Sequence, residues 1–131
     1  MVLVVAILGI LAVLATPMFL SYYQAAQLRL AAQEVATFLN QGRQIGIKEN
    51  VGVCARITAT AMRYHIGSCG GAVWVGAGTD AAGNISVPQG ITLTTTADPV
   101  FSYLGAASPA ATYTVTNTQT AATLRVFVSG S

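Results

Sequence analysis

The chain opens on an apolar run that no charge interrupts. Residues 1 to 15, MVLVVAILGILAVLA, carry no polar side chain, and ATPMFL takes the run on to Leu20. A helix needs about 20 such residues to cross a bilayer. Residues 1–20 are therefore predicted to form a membrane-inserting helix. A secretory signal peptide is the rival reading. No positively charged region precedes the run, however, and the run is long for a signal core.

Pro17 removes a backbone donor and leaves the Val13 carbonyl without its helical partner, which predicts a kink or a melted turn near residues 13–17. Such a defect is best tolerated where neighbouring helices can satisfy the freed backbone groups. Ala6, Gly9 and Ala12 place small side chains along one flank of the same helix, so a second helix can come close there.

Beyond Pro17 the pattern becomes periodic. Leu28, Ala31, Val35, Phe38, Gly42 and Ile45 recur at intervals of three or four residues, with polar side chains such as Gln27, Arg29, Gln33, Glu34, Asn40 and Arg43 between them. That is the stripe of an amphipathic helix. The helix is predicted to run unbroken to about residue 49, where Asn50 and Gly52 stop it. At ~1.5 Å per residue it would be about 70 Å long, far more than a bilayer needs. Half of it must stand outside the lipid, and its stripe there needs an apolar partner.

From Val51 onward, short β-prone runs alternate with turn signals. VCARIT (53–58) and MRYHIG (62–67) predict a hairpin about Ala59–Ala61. AVWV (72–75), NISV (84–87), ITLTT (91–95), VFSYL (100–104), ATYTVT (111–116) and TLRVFV (123–128) follow, punctuated by glycines and prolines. About 80 residues of strand cannot build a large core alone, so the sheet is expected to fold around the amphipathic helix half. The predicted class is α+β, a long N-terminal helix against an antiparallel β-sheet head. Residues 1–27 would be the hydrophobic helix segment, and residues 28–131 the head, comprising helix 28–50 and sheet 51–131.

Composition narrows the functional classes. The 131 residues suit one folded unit. Only 8% of them are Asp, Glu, Lys or Arg, against roughly 25% in ordinary soluble proteins. The first charged side chain is Arg29, so the excess hydrophobicity is one segment rather than an average. A net charge of +2 does not by itself signal nucleic acid. His65 is the one histidine, which excludes two-histidine mechanisms and His-rich metal sites.

The run VLVVAILGILAVLATPMF, with its glycine and a proline eight residues later, resembles the N-terminal helix of type IV pilins and type II secretion pseudopilins. EVATFLNQGRQIGIKENVGVCARI resembles the GspH/FimT branch, whose members end this helix with A-R-x-x-A-I-x-x-N. Here Gly42 and Gly46 stand where alanines are usual. LRVFVSGS (124–131) resembles that branch's last strand. In that family a leader ends in glycine, the mature chain opens on an N-methylated residue, and a glutamate lies ahead of the segment that begins here at Met1. Aligned on Gly9 and Pro17, this sequence starts about five mature residues later. The upstream reading frame is expected to supply them, and the glutamate's docking role falls on no residue here.

The resemblance implies a structural subunit, a pilin or minor pseudopilin, with a pilin-like fold and no cofactor. It implies an inner-membrane anchor with a periplasmic head, or an extracellular filament after assembly. The implied partners are other pilin or pseudopilin subunits, the inner membrane and an assembly platform. Ala6, Gly9, Ala12 and Pro17 would lie in the filament core, and Leu28, Val35, Phe38 and Ile45 would fix the head to its stalk.

Cys54 and Cys69 would then face an oxidising periplasm. A disulfide is the preferred reading, and two buried thiols in strand positions the alternative. One cysteine pair and one histidine are too few for a closed zinc site.

Some FimT-like minor pilins bind DNA, and Arg56 and Arg63, with His65 and Arg125, are the candidate contacts. Those DNA binders carry a C-terminal Gly-Arg-x-Arg element that is not present up to Ser131, so isolated solvated cations are preferred. A secreted β domain left after signal-peptide removal is the further alternative.

No nucleophile elbow, P-loop, dinucleotide fingerprint or zinc-protease motif occurs, and Glu34, Glu49, Asp80 and Asp98 form no local pair, so an enzyme is not expected. Thr112, Thr114, Thr116, Thr118 and Thr120 alternate, which in an extended strand places all five on one polar face.

Overall fold

The computed structural model describes residues 1–58 and 60–130. Helix α1 runs from Val2 to Glu49, 48 residues without interruption. The turn expected to melt at residues 13–17 remains helical. Proline's fixed φ is itself helical, and the helix continues through Pro17 without the bond that Pro17 cannot donate. On the preceding turn Thr16 Oγ1 donates to the Ala12 carbonyl at 2.8 Å. The helix stops at Asn50, whose backbone is left-handed (φ 55°), and the Val51 amide closes the end on the Gly46 carbonyl at 3.1 Å. Asparagine is among the few residues that tolerate this conformation without a large steric cost.

The chain then descends along the helix and builds two antiparallel sheets rather than one. Strands β1 (Val53–Ile57), β2 (Ala61–Ile66), β3 (Ile85–Ser86), β5 (Val100–Phe101) and β6 (Ala107–Ser108) form a five-stranded sheet in the order β3-β2-β1-β5-β6. Strands β4 (Ile91–Thr95), β7 (Ala111–Asn117) and β8 (Thr123–Val128) form the second, in the order β4-β7-β8. β1 and β2 pair from Val53 opposite Ile66 to Ile57 opposite Met62. Part of their predicted turn, Ala59, lies outside the described residues, as does Ser131 of the predicted last strand.

Three stretches differ from expectation. AVWV (72–75) is no strand; a single bridge joins Val73 to His65 within a glycine-rich loop that folds back over β2. VFSYL (100–104) is extended only at its first two residues. The Ser102 side chain then accepts the amides of Leu104 and Ala106, and Gly105 turns the chain at φ 84°, a conformation suited to glycine. Thr118 and Thr120 fall beyond β7, so only Thr112, Thr114 and Thr116 share its outer face, while Tyr113, Val115 and Asn117 are buried.

One core lies between the distal half of α1 and both sheets. Leu28, Ala31, Val35, Phe38, Leu39 and Ile45 of the helix meet Val53, Ala55, Met62, Tyr64, Ile91, Leu93, Phe101, Tyr113 and Val115. At roughly 1.5–3 kcal/mol for each large apolar side chain removed from water, this contact is what holds the head on its helix.

Candidate assembly surface

Helix α1 behaves as two objects. Every residue from Met1 to Tyr23 is exposed around the whole circumference, and Gly9 has nothing within 4 Å of where a Cβ would sit. Ala6, Gly9, Ala12 and Pro17 are thus all open to a neighbour, whether lipid or another helix. Leu28, Val35, Phe38 and Ile45 are all buried against the sheets.

The distal half approaches the five-stranded sheet closely because of its glycines. A Cβ on Gly42 would lie 3.0 Å from Tyr64 Cε1, and one on Gly46 would meet the Ser102 carbonyl at 3.3 Å. Gly42 and Gly46 therefore admit a ring and a backbone carbonyl where alanine would press on them.

Tyr64 fills the contact. Its ring stacks on Phe38 at 4.6 Å and meets Trp74 edge-on at 5.7 Å, and its hydroxyl donates to the Phe38 carbonyl at 2.7 Å. Tyr113 ties the other pair of layers, donating its hydroxyl from the three-stranded sheet to the Ala55 carbonyl of β1 at 3.2 Å. Burial pushes both phenols above their ordinary pKa, with the Asp98 carboxylate adding to the effect at Tyr113.

Tyr64, Leu39 and Gly46 were not among the predicted packing residues. Leu39 was within reach of periodicity, since it sits four residues after Val35. Tyr64 was not, because it serves a contact distant in sequence.

Cys54 and Cys69 form a disulfide with Cα atoms 5.0 Å apart. It pins the loop after β2 to β1, and His65, on the residue opposite Cys54, donates Nδ1–H to the Gly71 carbonyl of that loop at 3.0 Å. His65 is buried there.

Arg56 and Arg63 face each other across β1 and β2. Such like-charged pairs repel. Arg63 Nε donates to Asn84 Oδ1, close to Asp80. The Asn84 and Ala82 amides on the Asp80 carboxylate, with Arg63 nearby, hold its pKa below the usual carboxylate value. Arg125 stands opposite Thr114 on β8, the edge of the other sheet. The structure thus joins two of the three arginines and leaves the third elsewhere.

A cleft of about 800 Å³ lies between α1 and β2–β3 and is lined by Glu34, Gln41, Asp80 and Asn84 among others. Its two carboxylates have no histidine or cysteine beside them. Among the described residues no group of three or more His, Cys, Asp or Glu side chains is placed to hold a metal.

No protein-family model matches the chain, and no curated protein sequence matches it significantly. Its fold is similar to a solved structure, the minor pseudopilin EpsH from the type 2 secretion system of Vibrio cholerae. The TM-score is 0.61 at 11% sequence identity, over 80% of this chain and 93% of that one. The likeness establishes a pseudopilin-like α+β fold.

Proposed function

We propose that this chain is a structural subunit, a pilin or minor pseudopilin, of an inner-membrane-anchored helical filament of the type IV pilus or type II secretion kind. The observation that carries the reading is the division of one helix. Its first 23 residues expose an uncharged, almost wholly apolar surface on every side, while its distal half is enclosed by the chain's own sheets. A soluble domain gains nothing from such an extension. A subunit that is stored in lipid and then bundled with copies of itself needs it.

On this reading residues 1–27 are the anchor and filament-core segment, and residues 28–131 the head displayed in the periplasm or on the filament surface. Lipid already satisfies the apolar helix before extraction, so bundling brings little further hydrophobic gain. Assembly then requires work from a platform together with contacts between subunits. Ala6, Gly9 and Ala12 allow close approach in the bundle, and neighbouring helices offer donors for the Val13 carbonyl that Pro17 leaves bare. The pseudopilin-like fold of EpsH supports this assignment. The GspH/FimT placement rests on the helix end, where Arg43, Ile47 and Asn50 match the branch's pattern and Gly42 and Gly46 replace its alanines.

The test is fractionation and cross-linking of the full chain in a bacterial host with and without an assembly platform. The chain is expected in the inner membrane in both hosts, and a ladder of cross-linked subunits only where the platform is present. Ile10→Asp should abolish both. A water-soluble monomer whose mature form lacks residues 1–20 would overturn the proposal in favour of a secreted β domain.

A further inference from the structure

The head reaches down the helix as far as the end of the apolar run. The turn between β7 and β8 brings Thr120, Ala122 and Leu124 alongside Ser21, Gln24 and Ala25, and Gln24 Nε2 donates to Gln119 Oε1 at 3.2 Å. The turn is firmly built. Asn117 Oδ1 accepts the amides of Gln119 and Thr120, and the Thr118 amide and hydroxyl both donate to the Gly90 carbonyl. The Pro88–Gly90 turn is thereby held beside it.

This lower rim has an unusual composition. Residues 81–97 and 99–124 contain no Asp, Glu, Lys, Arg or His, so both turns present only amides, hydroxyls and small apolar groups. On the helix, Tyr22 and Tyr23 are exposed directly after the apolar run, and Arg29 is the first cation above them.

The distances place this rim at the level of lipid headgroups. Tyrosine concentrates at membrane interfaces because its ring is apolar and its hydroxyl is wet. If Tyr22 and Tyr23 mark that interface, Gln24 and its partner Gln119 stand about 3 Å above Tyr22, and Arg29 about 8 Å above Gln24. The headgroup region on each side of the hydrocarbon core is only about 5–8 Å thick. An uncharged, hydrogen-bonding turn at that height loses little on leaving bulk water, and Arg29 is in reach of phosphates.

We propose that the β7–β8 turn, together with Tyr22 and Tyr23, forms a charge-free foot that rests in the headgroup layer while α1 is inserted in a bilayer. The proposal depends on the membrane reading of residues 1–20. The foot sets the height and tilt at which the head is presented before extraction. Its partner is the phospholipid surface, not a second head.

The full disulfide-bonded chain, reconstituted in phosphatidylcholine–phosphatidylglycerol vesicles, provides the test. Trp74 is the one native tryptophan and lies beside Gln41 and Gln44, about 25 Å up the helix from Gln24. It is a reference that lipid quenchers cannot reach. A Gln119→Trp variant should lose emission to a nitroxide on the headgroup and keep it with a nitroxide at mid-chain, while the wild type is unaffected by either.

No headgroup quenching in a chain that floats with the vesicles overturns the foot alone. Failure to float overturns the membrane reading and the foot together. Quenching that appears only at high protein-to-lipid ratio shows that a second copy governs this surface, and it too overturns the proposal. Should Gln119→Trp not fold, a photoactivatable headgroup lipid serves the unmodified chain. Adducts on peptides spanning 117–125 support the foot, and adducts confined to residues 1–23 contradict it.

Discussion

Phe19 and Phe38 belong to one helix and meet opposite fates. Phe19 is 74% exposed and Phe38 2%. Their local sequences are equally helical, so the difference lies in what surrounds them. The distal half has a periodic stripe that a sheet can cover from one side. The proximal half is apolar on all sides, and no single sheet could cover it without enclosing it. One continuous helix thereby serves two environments, and substitutions in its two halves should act on different properties.

The largest effect is expected at Phe38. Phe38→Ala empties a site stacked on Tyr64 and should destabilise the head by about 3–5 kcal/mol, measured by denaturant unfolding of the full chain in detergent. Phe19→Ala should leave the head's stability within about 0.5 kcal/mol. Equal losses at the two positions would break the comparison.

Removing the disulfide by Cys54→Ala with Cys69→Ala should cost about 3 kcal/mol, since the bridge closes a short loop in the unfolded chain. The proximal half should remain helical. Gly42→Val drives side-chain atoms into Tyr64 and should cost roughly 1–3 kcal/mol. Gly9→Ala meets no contact and should leave head unfolding unchanged.

The effect confined to the narrowest range of conditions, and absent at neutral pH, is a pH dependence. Tyr64 and Tyr113 have folded-state pKa values above their unfolded ones, so their contribution is complete below about pH 10 and declines as pH rises further. Each should add a slope of about 1.4 kcal/mol per pH unit above that point. Tyr64→Phe should flatten the alkaline limb.

Much of this division is legible in the sequence. The apolar run and the stripe from Leu28 to Ile45 follow from side-chain periodicity, a local property. Asn50 marks the helix end because few residues adopt its backbone angles. The strand positions follow from β-branched alternation wherever a strand is long enough to show it. β6, two residues long, is not, and Trp74 misled because its β-prone neighbours serve a loop pinned by Cys69 and packed on Tyr64.

The separation of Arg125 from Arg56 and Arg63 depended on there being two sheets. The order in which strands pair is a global choice that no local window contains. The two tyrosine hydroxyls were hidden for the same reason, each reaching a carbonyl on another layer.

The central claim is that the wrapped half and the bare half of α1 are energetically separate. Its most direct test is the unfolding free energy of the head in the full chain in micelles, against that of a chain beginning at Leu28, with the disulfide intact in both. The account predicts agreement within about 1 kcal/mol, since no core residue precedes Leu28. A shortened chain that fails to fold, or that loses more than about 3 kcal/mol, would show that the apolar segment is part of the head's own core and would contradict it.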